Sequence, residues 1–187
     1  MRNGSLICVN AARHPPRATS PDDALARGKK VGMSRFTSHI VLPDQVRTVY
    51  PLVREAVPGL ELRTWVAYAR KLTNPRSAPR EGIVAVRRVP RPMPCGLFLY
   101  RRENDLGYGT ILATEYFIAM DVLDTAPVMR ALAEEMDMLA SRLGCAAIRA
   151  LVRDHTHAVH AGLAEAGLRQ EGAMLWKRVA TTPTVAG

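Results

Sequence analysis

The stretch TILATEYFIAM, residues 110–120, decides the fold when read together with residues 128–143 and with AIRALV, residues 147–152. The first and last pieces are rich in β-branched and apolar residues and read as strands, Thr110 to Met120 and Ala147 to Val152. Between them Val128, Leu132, Met136, Leu139, Ala140 and Leu143 recur at helical spacing. Arg130, Glu134, Glu135, Asp137 and Arg142 fall largely on the rest of the wheel, so the spacing predicts a helix over 128–143 with one face buried on a sheet. Gly144 follows the last periodic residue and supplies the stop, since glycine tolerates the left-handed conformation that ends helices. A strand, a crossover helix and a second strand make a β-α-β unit, whose two strands run parallel.

Upstream, Gly82–Val89 and Cys95–Arg101 read as strands separated by the turn Pro90-Arg91-Pro92-Met93-Pro94. Glu103 to Gly107 turns the chain again into the strand at Thr110, which gives a meander. Earlier still, Ser38–Leu42 reads as a short strand ended by Pro43. A helix carrying Val46, Val49, Leu52, Val53 and Val57 then runs to Pro58-Gly59, with a kink or break expected at Pro51. Leu62, Trp65, Val66, Ala69 and Leu72 give a second helix over 60–72. Downstream, Thr156–Ala166 reads as a helix ended by Gly167, and Ala173–Val179 as a last strand after a turn at Arg169-Gln170-Glu171-Gly172.

The 187 residues suffice for one well-filled core. Residues 1–33 contain Pro15-Pro16, Pro21 and no sustained period, and read as a disordered basic extension. Residues 34–180 form one domain, and residues 181–187 a flexible tail. Met33, directly before the first convincing structured stretch, reads as a true or alternative start. No apolar run approaches a bilayer span and Leu6–Val9 is too short for a secretory signal, so a cytoplasmic protein without membrane contact is expected. Cys8, Cys95 and Cys145 form no Cys-x-x-Cys pair and read as small buried hydrophobes. The net charge of +9 is concentrated in residues 1–33 and between Arg70 and Arg91. Such charge gathers anions, but no aromatic residue stands within 70–91 to stack on bases, so nucleic acid is not the expected partner.

The order β-α-α-β-β-β-α-β-α-β(-β) describes a mixed α/β (α+β) fold, with a mostly antiparallel central sheet and helices on both faces. It resembles the GNAT superfamily of N-acetyltransferases over roughly Phe36 to Val179. The end of the chain carries the resemblance furthest: Ser141-Arg142-Leu143-Gly144-Cys145, then AIRALV, then Glu165-Ala166-Gly167-Leu168, then Met174-Leu175-Trp176-Lys177-Arg178. Leu168 stands where the family usually has phenylalanine.

The resemblance implies an acyl-CoA-dependent N-acyltransferase, with acetyl-CoA or another acyl-CoA as donor and an amine on a small molecule or protein as acceptor. It places cofactor contacts at the strand end, Ala119 and Met120, and at the helix start, Val128, Met129 and Arg130. The family's diphosphate loop runs Arg or Gln, two residues, Gly, one residue, Gly or Ala, so that backbone N–H groups hold the diphosphate. Here the corresponding residues are Asp124, Pro127 and Met129: a carboxylate, a residue without N–H, and a bulky side chain. Residues 124–127 read as the capping chemistry of a helix start, which explains them better than a diphosphate loop does. The family's usual tyrosine acid on the last helix is replaced by Leu163, which has no proton to give, and His160 is one turn away. Glu115, a carboxylate in the middle of an apolar strand, is the candidate base. The alternative for it is a solvent-facing position paired with an arginine.

Asp154, His157 and His160 invite a metal reading, but three or four fixed ligands are the rule for zinc. A helix start capped by Asp154 explains the same residues, so no metal is expected. Two alternatives stand beside the enzyme: a catalytically silent GNAT-fold protein used for binding or regulation, and a basic module engaging nucleic acid or an acidic protein. A homodimer is compatible with each.

Overall fold

The longest apolar strand becomes the middle of the structure because both of its faces are covered. The computed structural model describes residues 6–12, 35–121, 124–152 and 157–174. The chain builds β1 (Leu6–Ala12), β2 (Phe36–Ile40), α1 (Tyr50–Ala56), α2 (Leu62–Leu72), β3 (Glu81–Arg88), β4 (Pro94–Asp105) and β5 (Gly109–Ala119). Then follow α3 (Ala126–Arg142), β6 (Ala147–Val152), α4 (His157–Glu165) and β7 (Arg169–Met174). The seven strands form one sheet in the order β2-β3-β4-β5-β6-β1-β7. Neighbours from β2 to β5 are antiparallel, β5 and β6 are parallel, and β1 runs antiparallel to both β6 and β7.

Alternation along the strands feeds two cores. Ile83, Ala85, Leu97, Leu99 and Ile118 face α1 and α2 and pack on Val53, Trp65, Val66 and Leu72. Val84, Val86, Phe98, Leu112 and Ile148 face α3 and α4 and pack on Leu132, Met136, Val159 and Leu163. Strands covered on both sides read as continuous apolar runs, which is why β3, β4 and β5 were visible as strands.

α3 lies close on β4 because Gly96 lacks a side chain: a Cβ there would stand 2.8 Å from Leu132 and from Val128. The helix ends as its spacing predicts, with Gly144 at φ +65° and the Cys145 N–H bonded to the Ala140 carbonyl at 2.9 Å. Glu135 departs from the wheel. It is 6 % exposed, and its carboxylate accepts from the Ser38 hydroxyl at 2.7 Å and from Arg142 at 2.8 Å. Those two donors offset the cost of burying the charge, and they tie α3 to β2.

Besides β2, which starts at Phe36, and β4, which runs on to Asp105 through residues expected in a turn, three parts of the chain differ from the sequence reading. The first helix does not begin near Asp44; turns occupy residues 43–49 and α1 starts at Tyr50, with Pro51 in its first turn, where a missing N–H costs nothing. The last described strand is β7, residues 169–174, and so includes Gln170-Glu171-Gly172, expected as a turn; Gly172, at φ +80°, lies within it, and most of the expected strand Ala173–Val179 lies outside the described residues. The third difference is β1, a strand at residues 6–12 where an extension without structure was expected. It pairs Ile7 with Val152 through Ala12 with Ala147 on one side, and Leu6 with Met174 and Asn10 with Arg169 on the other. An interior strand has no need of alternation, so the short run Leu6–Val9 carried the signal without a period to announce it. Met33, the rest of residues 1–34 and the tail from 175 onward lie outside the described residues. Among the described residues no helix is long and apolar enough to cross a membrane.

Deleting residues 1–32 should lower the thermal midpoint by several degrees, because β6 and β7 both lose their hydrogen-bonded neighbour. An unchanged midpoint in a calorimetric scan would show that β1 contributes nothing to the sheet. Leu132, at 0 % exposure, should cost about 2–5 kcal/mol on truncation to alanine, while Glu134→Ala on the exposed face should be nearly neutral. Equal effects in denaturant unfolding would mean that the buried face of α3 has been misassigned.

Candidate active site

The site is built around an irregularity in β5. Leu99 pairs with Glu115 and Leu97 with Ile118, so Tyr116 and Phe117 together oppose Phe98, and β5 carries a bulge. Tyr116 sits at φ +50°, a conformation strained for a bulky side chain. The bulge breaks the alternation. Phe117 stacks on Phe98 in the α3 core, with centroids 6.0 Å apart, whereas Glu115 and Tyr116 both lie on the side of α1 and α2.

The same irregularity opens the sheet. The parallel ladder between β5 and β6 ends at Glu115 with Leu151. Beyond it, Ile118 and Ala119 pair with β4, and no described strand lies along their other side. A strand edge that no described strand pairs can take an extended ligand through main-chain hydrogen bonds. A cavity of about 300 Å³ runs along this end of β5, lined by Glu55, Pro58, Tyr116, Phe117, Ala119 and Met120. The exit from β5 is fixed by Asp121, whose carboxylate pairs with Arg88; the Arg88 guanidinium lies 5.2 Å from the centre of the Phe36 ring.

Glu115 is half-buried, and Arg101 is close enough for its charge to feel the carboxylate. It lines a small cavity with Tyr68, Leu99 and Arg101. At about 10 Å³ that cavity is close to the size of one water molecule. The Tyr68 phenol is pushed above its ordinary range, first by burial and then by the Glu115 carboxylate, with Arg101 opposing. It is therefore a neutral hydrogen-bond donor at physiological pH. Arg101 is held above its usual range: burial works against its charge, but Tyr68, Glu115 and Glu81 outweigh it. Arg101 also bonds Glu81 at 3.3 Å. Tyr68 and Arg101 were missed in the sequence because their meeting with Glu115 depends on how α2 lies over β4 and β5. The only local hint was a tyrosine and an arginine on faces otherwise read as core and strand surface.

The expected cofactor contacts divide. Ala119 and Met120 line the cavity at the end of β5. Val128 and Met129 are buried in the α3 core, at 0 % and 2 % exposure, so their side chains face away from any ligand. The Met129 N–H is not free for a ligand: it donates to the Thr125 carbonyl at 2.9 Å, since the free donors of a helix starting at Ala126 end at Val128. The Ala126 N–H donates to the Asp124 carboxylate at 2.9 Å, and Pro127 has none. Arg130 lines a groove of about 450 Å³ between α3 and α4, together with Asp124, Glu134, Asp137 and Glu165.

The fold implies coenzyme A, and these residues fit it only in part. The open edge of β5 suits an extended thioester arm. The helix start does not suit a diphosphate, because a carboxylate of the chain already occupies an N–H there and acidic side chains outnumber the cation in the adjoining groove.

His160 is half-buried on α4, in the layer with α3, whereas Glu115 faces α2; the sheet separates the two helix layers. Leu163 is buried in the α3–α4 core. Asp154 and His155 lie outside the described residues, as does the side chain of His157. Among the described residues no group of three metal-ligating side chains occurs.

No family model and no curated protein sequence matches the chain. Solved structures do. AAC(6')-Iy, in complex with a bisubstrate analogue, matches with a TM-score of 0.65 at 10 % identity over 79 % of this chain and 100 % of that one; that protein is an aminoglycoside N-acetyltransferase and matches also in its complex with CoA. A GCN5-related N-acetyltransferase from Sphaerobacter thermophilus matches with a TM-score of 0.60 at 15 % identity, over 89 % of this chain and 48 % of that one. Glucosamine-6-phosphate N-acetyltransferase from Arabidopsis thaliana matches with a TM-score of 0.54 at 11 % identity, over 81 % and 99 %. At such identities the likeness is one of architecture, and on that evidence the chain has the fold of the GNAT N-acetyltransferases.

Proposed function

We propose that the protein is an N-acyltransferase that moves an acyl group from a coenzyme A-type thioester to an amine. The observation that carries this reading is the bulge at Tyr116, which opens the sheet beside β6 and sets Glu115 on the face of α1 and α2. In acyl transfer the amine nitrogen forms a bond to the thioester carbonyl carbon, the carbon–sulfur bond breaks, and the amine gives up a proton. Glu115 takes that proton, directly or through one water in the adjoining cavity. Tyr68 and Arg101 line the same small cavity and stand beside the carboxylate. The acceptor is an amine of unassigned identity, and acetyl-CoA or another acyl-CoA is the donor.

The second reading is a silent member of the fold, used for binding or regulation. It is favoured by Asp124, which holds the Ala126 N–H at the place where a diphosphate would bind.

Titration calorimetry with acetyl-CoA separates the two. In the enzyme reading Asp124→Asn tightens binding by about 1 kcal/mol, roughly fivefold, with a larger gain at low salt, because a partly screened repulsion is removed. Glu115→Gln should then lower turnover far more than it weakens binding, since a base acts on the acceptor's proton. If the wild-type protein shows no heat of binding at millimolar acetyl-CoA and Asp124→Asn changes nothing, the silent reading replaces the enzyme.

A further inference from the structure

The layer formed by α1 and α2 holds a further cavity, of about 210 Å³, lined by Val53, Val57, Leu60, Thr64, Trp65, Tyr68 and Tyr116. Its walls are apolar for a structural reason. The Trp65 ring nitrogen donates to the Val46 carbonyl at 2.6 Å, and the Tyr68 phenol is engaged with Arg101 beside Glu115. Both rings therefore keep their polar ends occupied elsewhere. Tyr50 donates to the Leu60 carbonyl at 2.6 Å and pins the α1–α2 connection that forms one rim. No residue lining the cavity carries a charge.

Two lining residues connect this cavity to the site already described. Tyr68 also lines the small cavity of Glu115 and Arg101, and Tyr116 also lines the groove at the end of β5. A group seated against Val53, Leu60 and Trp65 thus leaves its attachment point at Tyr68 and Tyr116, next to the candidate base. An apolar protein cavity of roughly 150 Å³ accepts a benzene ring, so this one has room for a ring and a short chain. The surrounding helices bear Arg54, Arg63, Arg70 and Lys71 against Glu55 and Glu61, a field that disfavours acceptors with several positive charges.

We infer that this pocket selects the acceptor: a monoamine carrying an aryl or branched aliphatic group, held by Trp65, Tyr68 and Tyr116 with its nitrogen presented to Glu115. The inference rests on the acyltransferase reading and sharpens it, and it sets this chain apart from polycationic acceptors such as aminoglycosides.

The test uses the full-length protein, 2-phenylethylamine as probe, and kanamycin as the polycationic comparison. Calorimetry should show 2-phenylethylamine binding, and thiol release from acetyl-CoA should give a kcat/KM at least tenfold above that for kanamycin. Val57→Phe and Thr64→Phe each push a ring into the pocket, the second from an exposed position on α2 that leaves the core untouched. Each should weaken 2-phenylethylamine at least tenfold while acetyl-CoA binding is retained. Absence of 2-phenylethylamine binding at millimolar concentration, or a preference for kanamycin, overturns the inference. Displacement of 2-phenylethylamine by octanoyl-CoA and not by acetyl-CoA also overturns it, because the pocket would then belong to the acyl chain. Binding of 2-phenylethylamine without acetyl-CoA binding or thiol release supports the pocket's ligand class and overturns acyl transfer itself.

Discussion

The pairing of β5 with β6 is the constraint on which the rest of the molecule depends, because it holds for half of the strand and then stops. From Ile111 to Glu115 the parallel ladder is continuous, and it joins the meander of β2 to β5 to the group formed by β6, β1 and β7. Past Glu115 the bulge turns β5 away. Had the ladder continued, the backbone edge offered at Ile118 and Ala119 would be closed by β6. The strain held at Tyr116 is therefore the counterpart of an open edge, and the two cores on either side of the sheet supply the packing that maintains it.

Much of this architecture was legible in the sequence, and the parts that were not share a cause. α3 declared itself through a sustained period and a terminal glycine, and β3, β4 and β5 through apolar runs, because those signals are local. The bulge left a trace: Glu115 and Tyr116 interrupt an apolar strand, and a carboxylate in such a place is costly unless something answers it. What answers it, Tyr68 and Arg101, comes from other elements and could not be read from the strand alone. Glu135 shows the opposite case. Its position on the wheel suggested solvent, and only the approach of Ser38 and Arg142 makes its burial tolerable.

The helix start of α3 is chemically divided against the cofactor that the fold implies. Asp124 satisfies a donor that would otherwise need an anion, and this gives α3 a stable beginning whether or not a ligand is present. Such a cap competes with any phosphate for the same N–H group, and the residues around it reinforce the competition with negative charge. On the acyltransferase reading, recognition of a thioester donor would lean on the edge of β5 and on Arg130 more than on the helix terminus.

The position of β1 has a consequence for how the chain reaches its final form. Ile7 is paired with Val152, and Leu6 with Met174, so β1 and its two neighbours lie far apart along the chain. Closing a loop of that length carries a large entropic cost that local contacts do not offset. The meander and the α3 crossover can assemble from nearby contacts while Leu6-Ile7-Cys8-Val9 waits with its edges unmatched. Insertion of β1 between β6 and β7 is thus expected to follow the local elements, and until it happens the edges of β6 and β7 are open to pairing with other strands.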